Sequence, residues 1–142
     1  METTQLASSI RTLITKMNRR LRKQMNAVDG LSITEIDTLS FLAHNGSLSP
    51  TKLAELLKVK GQSMSEVLIR LQKREMIEKN PSRTDKRKFD ISLTLHGRQI
   101  VEQTRAERDE WLTKAIEFHL SSKEKAVLGE AIKLLERISD FQ

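Results

Sequence analysis

Apolar residues recur at three- and four-residue spacing along most of this chain. Leu6, Ile10, Leu13, Ile14, Met17, Leu21 and Met25 form one stripe, which predicts a first helix ending near Asp29-Gly30. Ser32-Ile33-Thr34-Glu35 has the spacing of a capping box, in which a serine and a glutamate satisfy each other's backbone N–H groups. It predicts the start of a second helix carrying Ile33, Ile36, Leu39, Leu42 and Ala43, stopped by Asn45-Gly46. Leu48, between turn residues, suits a very short strand. Ser49-Pro50 opens a third helix with Leu53, Leu56 and Leu57 inward, because proline fits the first helical position. Val59 to Gly61 is then a turn, and a fourth helix from about Gln62 to Arg74 directs Met64, Val67, Leu68 and Leu71 to the core.

The period then changes from helical to two. Phe89, Ile91 and Leu93 fall on one face and Lys88, Asp90, Ser92 and Thr94 on the other, the pattern of a half-buried strand. The turn between Asn80 and this strand holds Arg83, Lys86, Arg87 and Lys88, with Asp85 as the acid among them. A hairpin with a basic tip is predicted.

Thr94, with Gly97 three residues on, opens a long fifth helix. It is polar all round from Glu102 to Glu110 apart from Ala106, and apolar again at Trp111, Leu112, Ala115 and Ile116. Such a helix bridges two bodies through solvent. Trp111 reads as a helix-packing anchor. A second capping box, Ser121-Ser122-Lys123-Glu124, begins a last helix whose apolar residues, including Val127, Leu128, Ile132, Leu134, Leu135, Ile138 and Phe141, spread over more than one face. The helices at the two chain ends carry more apolar surface than a small core covers, so a two-fold homodimer is expected, with Leu6, Ile10, Leu13, Leu128, Ile132, Leu135 and Ile138 at its interface. Residues 1–30 and 95–142 would form this dimerisation region and residues 31–94 a separate working unit.

Length and composition narrow the picture. With 142 residues, 31% charged and 4% aromatic, the chain suits one compact, mainly helical domain with a dimerisation arm. Lys and Arg total 25 against 19 Asp and Glu, a net charge of +6 that suits a polyanionic partner without identifying it. Distribution is more telling. Lys79, Arg83, Lys86, Arg87 and Lys88 cluster around the hairpin, while Arg11, Lys16, Arg19, Arg20, Arg22 and Lys23 lie on the first helix with no acid among them. That second run reads as a solvated face, although a basic amphipathic helix could also lie on an anionic membrane. The cations within the first apolar stripe argue against a signal peptide or membrane span, and a cytoplasmic location is expected. The absence of cysteine excludes disulfides and thiolate chemistry. His44, His96 and His119 are scattered and suggest no metal or other cofactor, and no nucleophile elbow or phosphate-cradling glycine loop is present, so no enzyme is expected.

The third and fourth helices, with the turn between them, match a helix-turn-helix, whose second helix enters the major groove of DNA. At about 100° per residue, inward Met64, Val67, Leu68 and Leu71 leave Gln62, Glu66, Ile69 and Lys73 outward, flanked by Ser63, Ser65 and Arg70. The short polar side chains allow close approach to base edges or simply begin a solvated helix; Arg70 and Lys73 reach phosphate or guanine. Glu66 either accepts from a cytosine amino group or, the preferred reading, completes a capping box with Ser63 and pairs with Arg70 at i,i+4. Ile69 touches a thymine methyl or packs against the hairpin. Beside this helix, the basic hairpin becomes a wing: Arg87 enters the minor groove, joined by Arg83, Lys86 and Lys88, and Asp85 orients a neighbouring arginine.

The ordered set Leu31 through Leu42, Ser49-Pro50-Thr51-Lys52-Leu53-Ala54, Leu71-Gln72-Lys73-Arg74, Asp85-Lys86-Arg87 and Leu93-Thr94-Leu95-His96-Gly97 resembles the multiple-antibiotic-resistance regulator (MarR) family over nearly the whole chain. The resemblance implies a mainly α fold: a winged helix-turn-helix with a small β-hairpin wing, and a helical dimerisation region formed by the N- and C-terminal helices. It also implies a sequence-specific transcriptional regulator, a repressor that binds double-stranded DNA as a homodimer at a pseudo-palindromic operator. A small aromatic or phenolic effector bound between the two regions would release it. Two departures stand out. Glu75 occupies the position where the family usually ends its recognition helix with glycine, implying a longer helix or a strained turn, and Glu66 stands where a basic or neutral polar residue is usual. The competing expectation is a winged-helix interaction module that uses its basic wing on an acidic protein.

Overall fold

The computed structural model describes residues 1–28 and 30–142. Its helices are α1 (Thr3–Arg22), α2 (Ile33–Asn45), α3 (Pro50–Leu57), α4 (Gly61–Lys73), α5 (Leu95–His119) and α6 (Ser122–Ser139). Strands β1 (Ser47–Leu48), β2 (Ile77–Pro81) and β3 (Phe89–Leu93) form one antiparallel sheet in the order β1-β3-β2. Ile77 faces Leu93 and Pro81 faces Phe89 across the hairpin, and Leu48 faces Ile91. The fold is mainly α, a winged helix-turn-helix with helices at both chain ends.

Local chemistry sets most boundaries. The Ser32 hydroxyl accepts from the Glu35 N–H at 3.2 Å, and Glu35 Oε2 accepts from the Ser32 N–H at 3.4 Å. Ser121 and Glu124 repeat this reciprocal cap at α6. Ser49 accepts from the Lys52 N–H at 3.1 Å ahead of Pro50. Gly46 ends α2 at φ 78°, a conformation that a Cβ disfavours.

The core lies between α2, α3, α4, the sheet and the first turns of α5. Leu39, Leu42, Leu53, Met64, Leu71 and Ile91 are all but inaccessible, and Val67, Leu68, Met76, Ile77, Leu93 and Val101 surround them. Each such side chain contributes about 1.5–3 kcal/mol relative to exposure. On α3, Leu53 is fully buried and Ala54 largely so, whereas Leu56 and Leu57 are only half-buried. Ile33 and Ala43, expected on the inner face of α2, are exposed at that helix's two ends.

The first helix is shorter than its stripe suggests. It ends at Arg22, and after a break a 3₁₀ turn, Asn26–Val28, follows; Asp29, where the stripe placed the helix end, lies outside the described residues. The cause is tertiary. The Glu107 carboxylate on α5 accepts from the Asn26 N–H at 2.7 Å and the Ala27 N–H at 3.1 Å, donors that a continuing helix would use internally. Met25 and Val28 are buried by the same bend.

The start of α5 is joined closely to the base of the wing. Thr94 Oγ1 accepts from the Gly97 N–H at 3.0 Å and donates to the Glu75 carbonyl at 2.6 Å, while the Thr94 N–H donates to the Met76 carbonyl at 3.1 Å. Gly97 lies directly against that carbonyl, where no Cβ would fit. From this anchor α5 runs 25 residues, about 37 Å at 1.5 Å per residue.

Neither α1, with 20 residues, nor α6, with 18, buries a residue in a single copy of the chain. Leu6, Leu13, Leu128, Ile132, Leu135 and Ile138 remain exposed and Ile10 half-exposed. Leu6, Ile10, Ile14 and Ile138 line one continuous apolar groove. Trp111 is half-buried, with the Arg20 guanidinium 5.4 Å from its ring centre, so it joins α5 to α1.

Candidate nucleic-acid interface

Three residues set the angle between α3 and α4. Lys58 takes a left-handed conformation at φ 54°, Val59 turns back against the core, and Lys60 is the extended residue preceding α4. Met64, Val67, Leu68 and Leu71 hold α4 down along one side. Its opposite side carries Gln62, Ser63, Ser65, Glu66, Ile69 and Lys73, all exposed. Ser65 Oγ donates to the Gly61 carbonyl at 3.0 Å, which leaves its oxygen lone pairs outward.

Two local expectations for α4 are corrected here. The helix begins at Gly61, so Ser63 is already its third residue and forms no capping box with Glu66; the capping position is Lys60, whose side chain makes no cap bond. Arg70 does not pair with Glu66 either. Its Nε donates to Glu35 Oε1 at 2.7 Å, because the buried carboxylate on α2 is a stronger partner than a solvated acid one turn away. Glu66 is consequently exposed on the outer face of α4.

The wing is a compact cationic tip. Lys88 accepts through its carbonyl from the Ser82 N–H at 3.1 Å and donates its own N–H to the Asp85 carbonyl at 3.0 Å, closing the loop. Asp85 Oδ1 accepts from the Arg87 N–H at 3.0 Å and lies 3.4 Å from Arg87 Nε. The Arg87 side chain is 91% exposed, so one edge of its guanidinium faces Asp85 and the rest faces solvent. Arg83, Lys86 and Lys88 are exposed beside it. Phe89 shares the face of Ile91 and Leu93 yet is exposed, because the wing projects past the core; the Lys79 ammonium lies 4.6 Å from its ring centre instead.

The Thr94 bonds to Glu75 and Met76, the α3–α4 angle and the Arg70–Glu35 pair thus bring the polar outer face of α4 and the cationic wing onto one scaffold. The sequence pattern did not single out Glu35 beyond its cap role. Nor did it reveal the cleft of about 250 Å³ between α1, α2 and α5, lined by Asn18, Arg22, Asp37, Ser40 and Arg108 among others. There Arg22 Nη1 is buried without a hydrogen-bond partner, while Nη2 lies 4.0 Å from Asp37 Oδ1. Among the described residues no group of three His, Asp or Glu could hold a metal ion, and no helix is long and apolar enough to cross a membrane.

Comparison with known proteins agrees with this geometry. The MarR family model matches residues 29–88, which span the start of α2 through the wing tip. An HTH-type transcriptional regulator of Mycobacterium leprae is 27% identical over 95% of this chain and 93% of its own length. The HTH-type transcriptional repressor MdtR of Bacillus subtilis is 26% identical over 78% of this chain and 70% of its own. A crystal structure from Pseudomonas aeruginosa, described as a transcriptional regulator protein, superposes with a TM-score of 0.86 at 28% identity, covering 98% of this chain and 97% of that one. With a family-model match from the start of α2 to the wing tip and a superposition over nearly the whole chain, the protein is similar to the MarR family of DNA-binding transcriptional regulators.

Proposed function

We propose that this protein is a homodimeric repressor that occupies a pseudo-palindromic operator and leaves it when a small aromatic or phenolic molecule binds. Residues 1–30 and 95–142 form the dimerisation region and residues 31–94 the DNA-binding region. The observation that carries the reading is the pairing of the exposed polar face of α4 with the exposed Arg87 at the wing tip, held by Asp85. In this arrangement Gln62, Ser63, Ser65 and Glu66 meet base edges, Arg70 and Lys73 meet the backbone, and Arg87 enters the adjoining minor groove with Arg83, Lys86 and Lys88 on the flanking phosphates.

Dimerisation supplies the second half-site. The uncovered faces of α1 and α6, with Leu6, Ile10, Leu13, Leu128, Ile132, Leu135 and Ile138, pair with the same faces of a second copy, and two α4 helices then lie about 34 Å apart. Repression is supported by the likeness to MdtR, whose name carries that role. The cleft holding the unpartnered Arg22 nitrogen lies where α1 and α5 meet α2, so a ligand there would bear on the angle between the two regions.

Selection of bound duplexes from fragmented genomic DNA, followed by titration at two salt concentrations, tests the reading. A two-fold site and a strongly salt-dependent affinity are expected. Binding equal to that of random competitor DNA would overturn it, and an affinity for DNA that does not tighten when both half-sites are supplied would favour the adaptor role instead.

A further inference from the structure

Arg70 and Glu35 are 35 positions apart, yet they share one of the shortest side-chain contacts in the molecule. Glu35 is 5% exposed, and its two oxygens have different partners: Oε2 takes the Ser32 N–H and Oε1 takes Arg70 Nε. Arg70 is asymmetric in the opposite sense. Its Nε is engaged on the protein side while its side chain remains 52% exposed, which leaves the outer nitrogens of the guanidinium on the open side.

We infer that Glu35 is a positioning residue for DNA binding: it locks the plane of the Arg70 guanidinium so that the outer nitrogens meet a backbone phosphate already oriented. The inference rests on the DNA-binding reading given above and names a residue that does not touch DNA. A free arginine loses rotamer freedom when it is fixed on a ligand, and a clamped one loses less. Lysine cannot replace it, because one ammonium cannot serve Glu35 and a phosphate with the same planar fork. The pair also ties the recognition helix to the start of α2, so that α4 and its phosphate contact move as one body.

Electrostatics alone predicts the opposite sign. Glu35 is an acid beside a polyanion's binding face, so its removal should tighten binding if it does nothing but repel. The test uses Glu35→Met, which keeps the chain length and removes the acceptor, with Ser32→Ala as the control that weakens the same cap without releasing Arg70. Arg70→Lys keeps the charge, leaves the cap intact and stays informative if Glu35→Met folds poorly. Each is titrated on a mixed-sequence duplex of about 40 base pairs, several turns long, across a range of salt, with thermal unfolding measured in parallel.

Glu35→Met and Arg70→Lys are each expected to weaken binding about five- to tenfold. The double variant should be no weaker than either alone, and the salt slope of Glu35→Met should fall by about one unit per protomer. Ser32→Ala should lose thermal stability with its affinity and slope unchanged. Equal or tighter binding by Glu35→Met or Arg70→Lys, or an equal loss in Ser32→Ala, overturns the inference. Failure of the unmodified protein to bind the duplex overturns the DNA reading itself, a separate result.

Discussion

Replacing Gly97 by alanine inverts an ordinary rule. Within a helix, glycine to alanine stabilises by roughly 0.5–1 kcal/mol, because the unfolded glycine has more freedom to lose. At Gly97 the added Cβ would overlap the Met76 carbonyl oxygen and come within 2.9 Å of its carbon, both backbone atoms that cannot rotate away. Relief requires moving the start of α5 off the wing base, which stretches the Thr94 N–H to Met76 bond at 3.1 Å and the Thr94 hydroxyl to Glu75 bond at 2.6 Å. Overpacking of this kind costs about 1–3 kcal/mol, and weakening the Thr94 cap adds about 1 kcal/mol. After the propensity gain is deducted, a net loss of about 1–3 kcal/mol remains. Gly129 on α6 is the internal comparison, since a Cβ there meets nothing within 4 Å, and Gly129→Ala should gain up to about 1 kcal/mol. Urea unfolding followed by circular dichroism, at one fixed protein concentration because the proposed dimerisation would contribute, reads both. Gly97→Ala as stable as the parent would refute the close-approach argument.

Other substitutions probe the remaining joints. Glu75 sits at φ 58°, so Glu75→Gly should raise stability by about 1 kcal/mol by removing the left-handed penalty, seen as a higher urea midpoint. Glu107→Ala should cost about 1–3 kcal/mol and speed hydrogen exchange at Asn26 and Ala27, whose N–H groups it accepts; unchanged exchange would discard the clamp. Arg87→Ala should weaken binding to every duplex and lower the salt slope by about one unit per protomer, with unfolding unaffected. The Glu124 carboxyl is held below its ordinary 4.5 by the Ser121 N–H first and the Ser121 hydroxyl second. A depressed carboxyl stabilises the fold above its unfolded value, and the contribution disappears as pH falls through the folded one. The start of α6 should therefore fray only below pH 4.5, and a carboxyl carbon titration of Glu124 centred above 4.5 would contradict the cap.

Features encoded by neighbours in the chain were legible in advance. Both capping boxes, the Ser49-Pro50 start, the inner face of α4 and the alternation of β3 depend on residues within one turn or one strand, and each stands where its pattern places it. Interactions across the fold were not. Arg70 has an acid four residues away and another 35 away, and only the burial of Glu35 decides between them. The bend after Arg22 is invisible because Glu107, 81 residues from Asn26, lies on a stretch whose polarity reads as mere solvation. The close approach at Gly97 is likewise hidden, since a glycine in the first turn of α5 and the methionine just before β2 show no mutual signal. The departure at Glu75 was visible, and it resolves as a left-handed turn rather than a longer helix. For the candidate site, residue types, their exposure and an orienting role for Asp85 beside a neighbouring arginine could be read from the pattern, whereas the identity of that arginine as Arg87 needed the folded loop.

The most direct measurement is the mass of the complex formed on a selected duplex, determined by sedimentation for the full two-fold site and for one isolated half. The account predicts two chains on the full site and a loss of affinity of more than about tenfold on the half, because the second half-site is engaged within one complex. One chain per duplex, with the two lengths bound equally well, would contradict it.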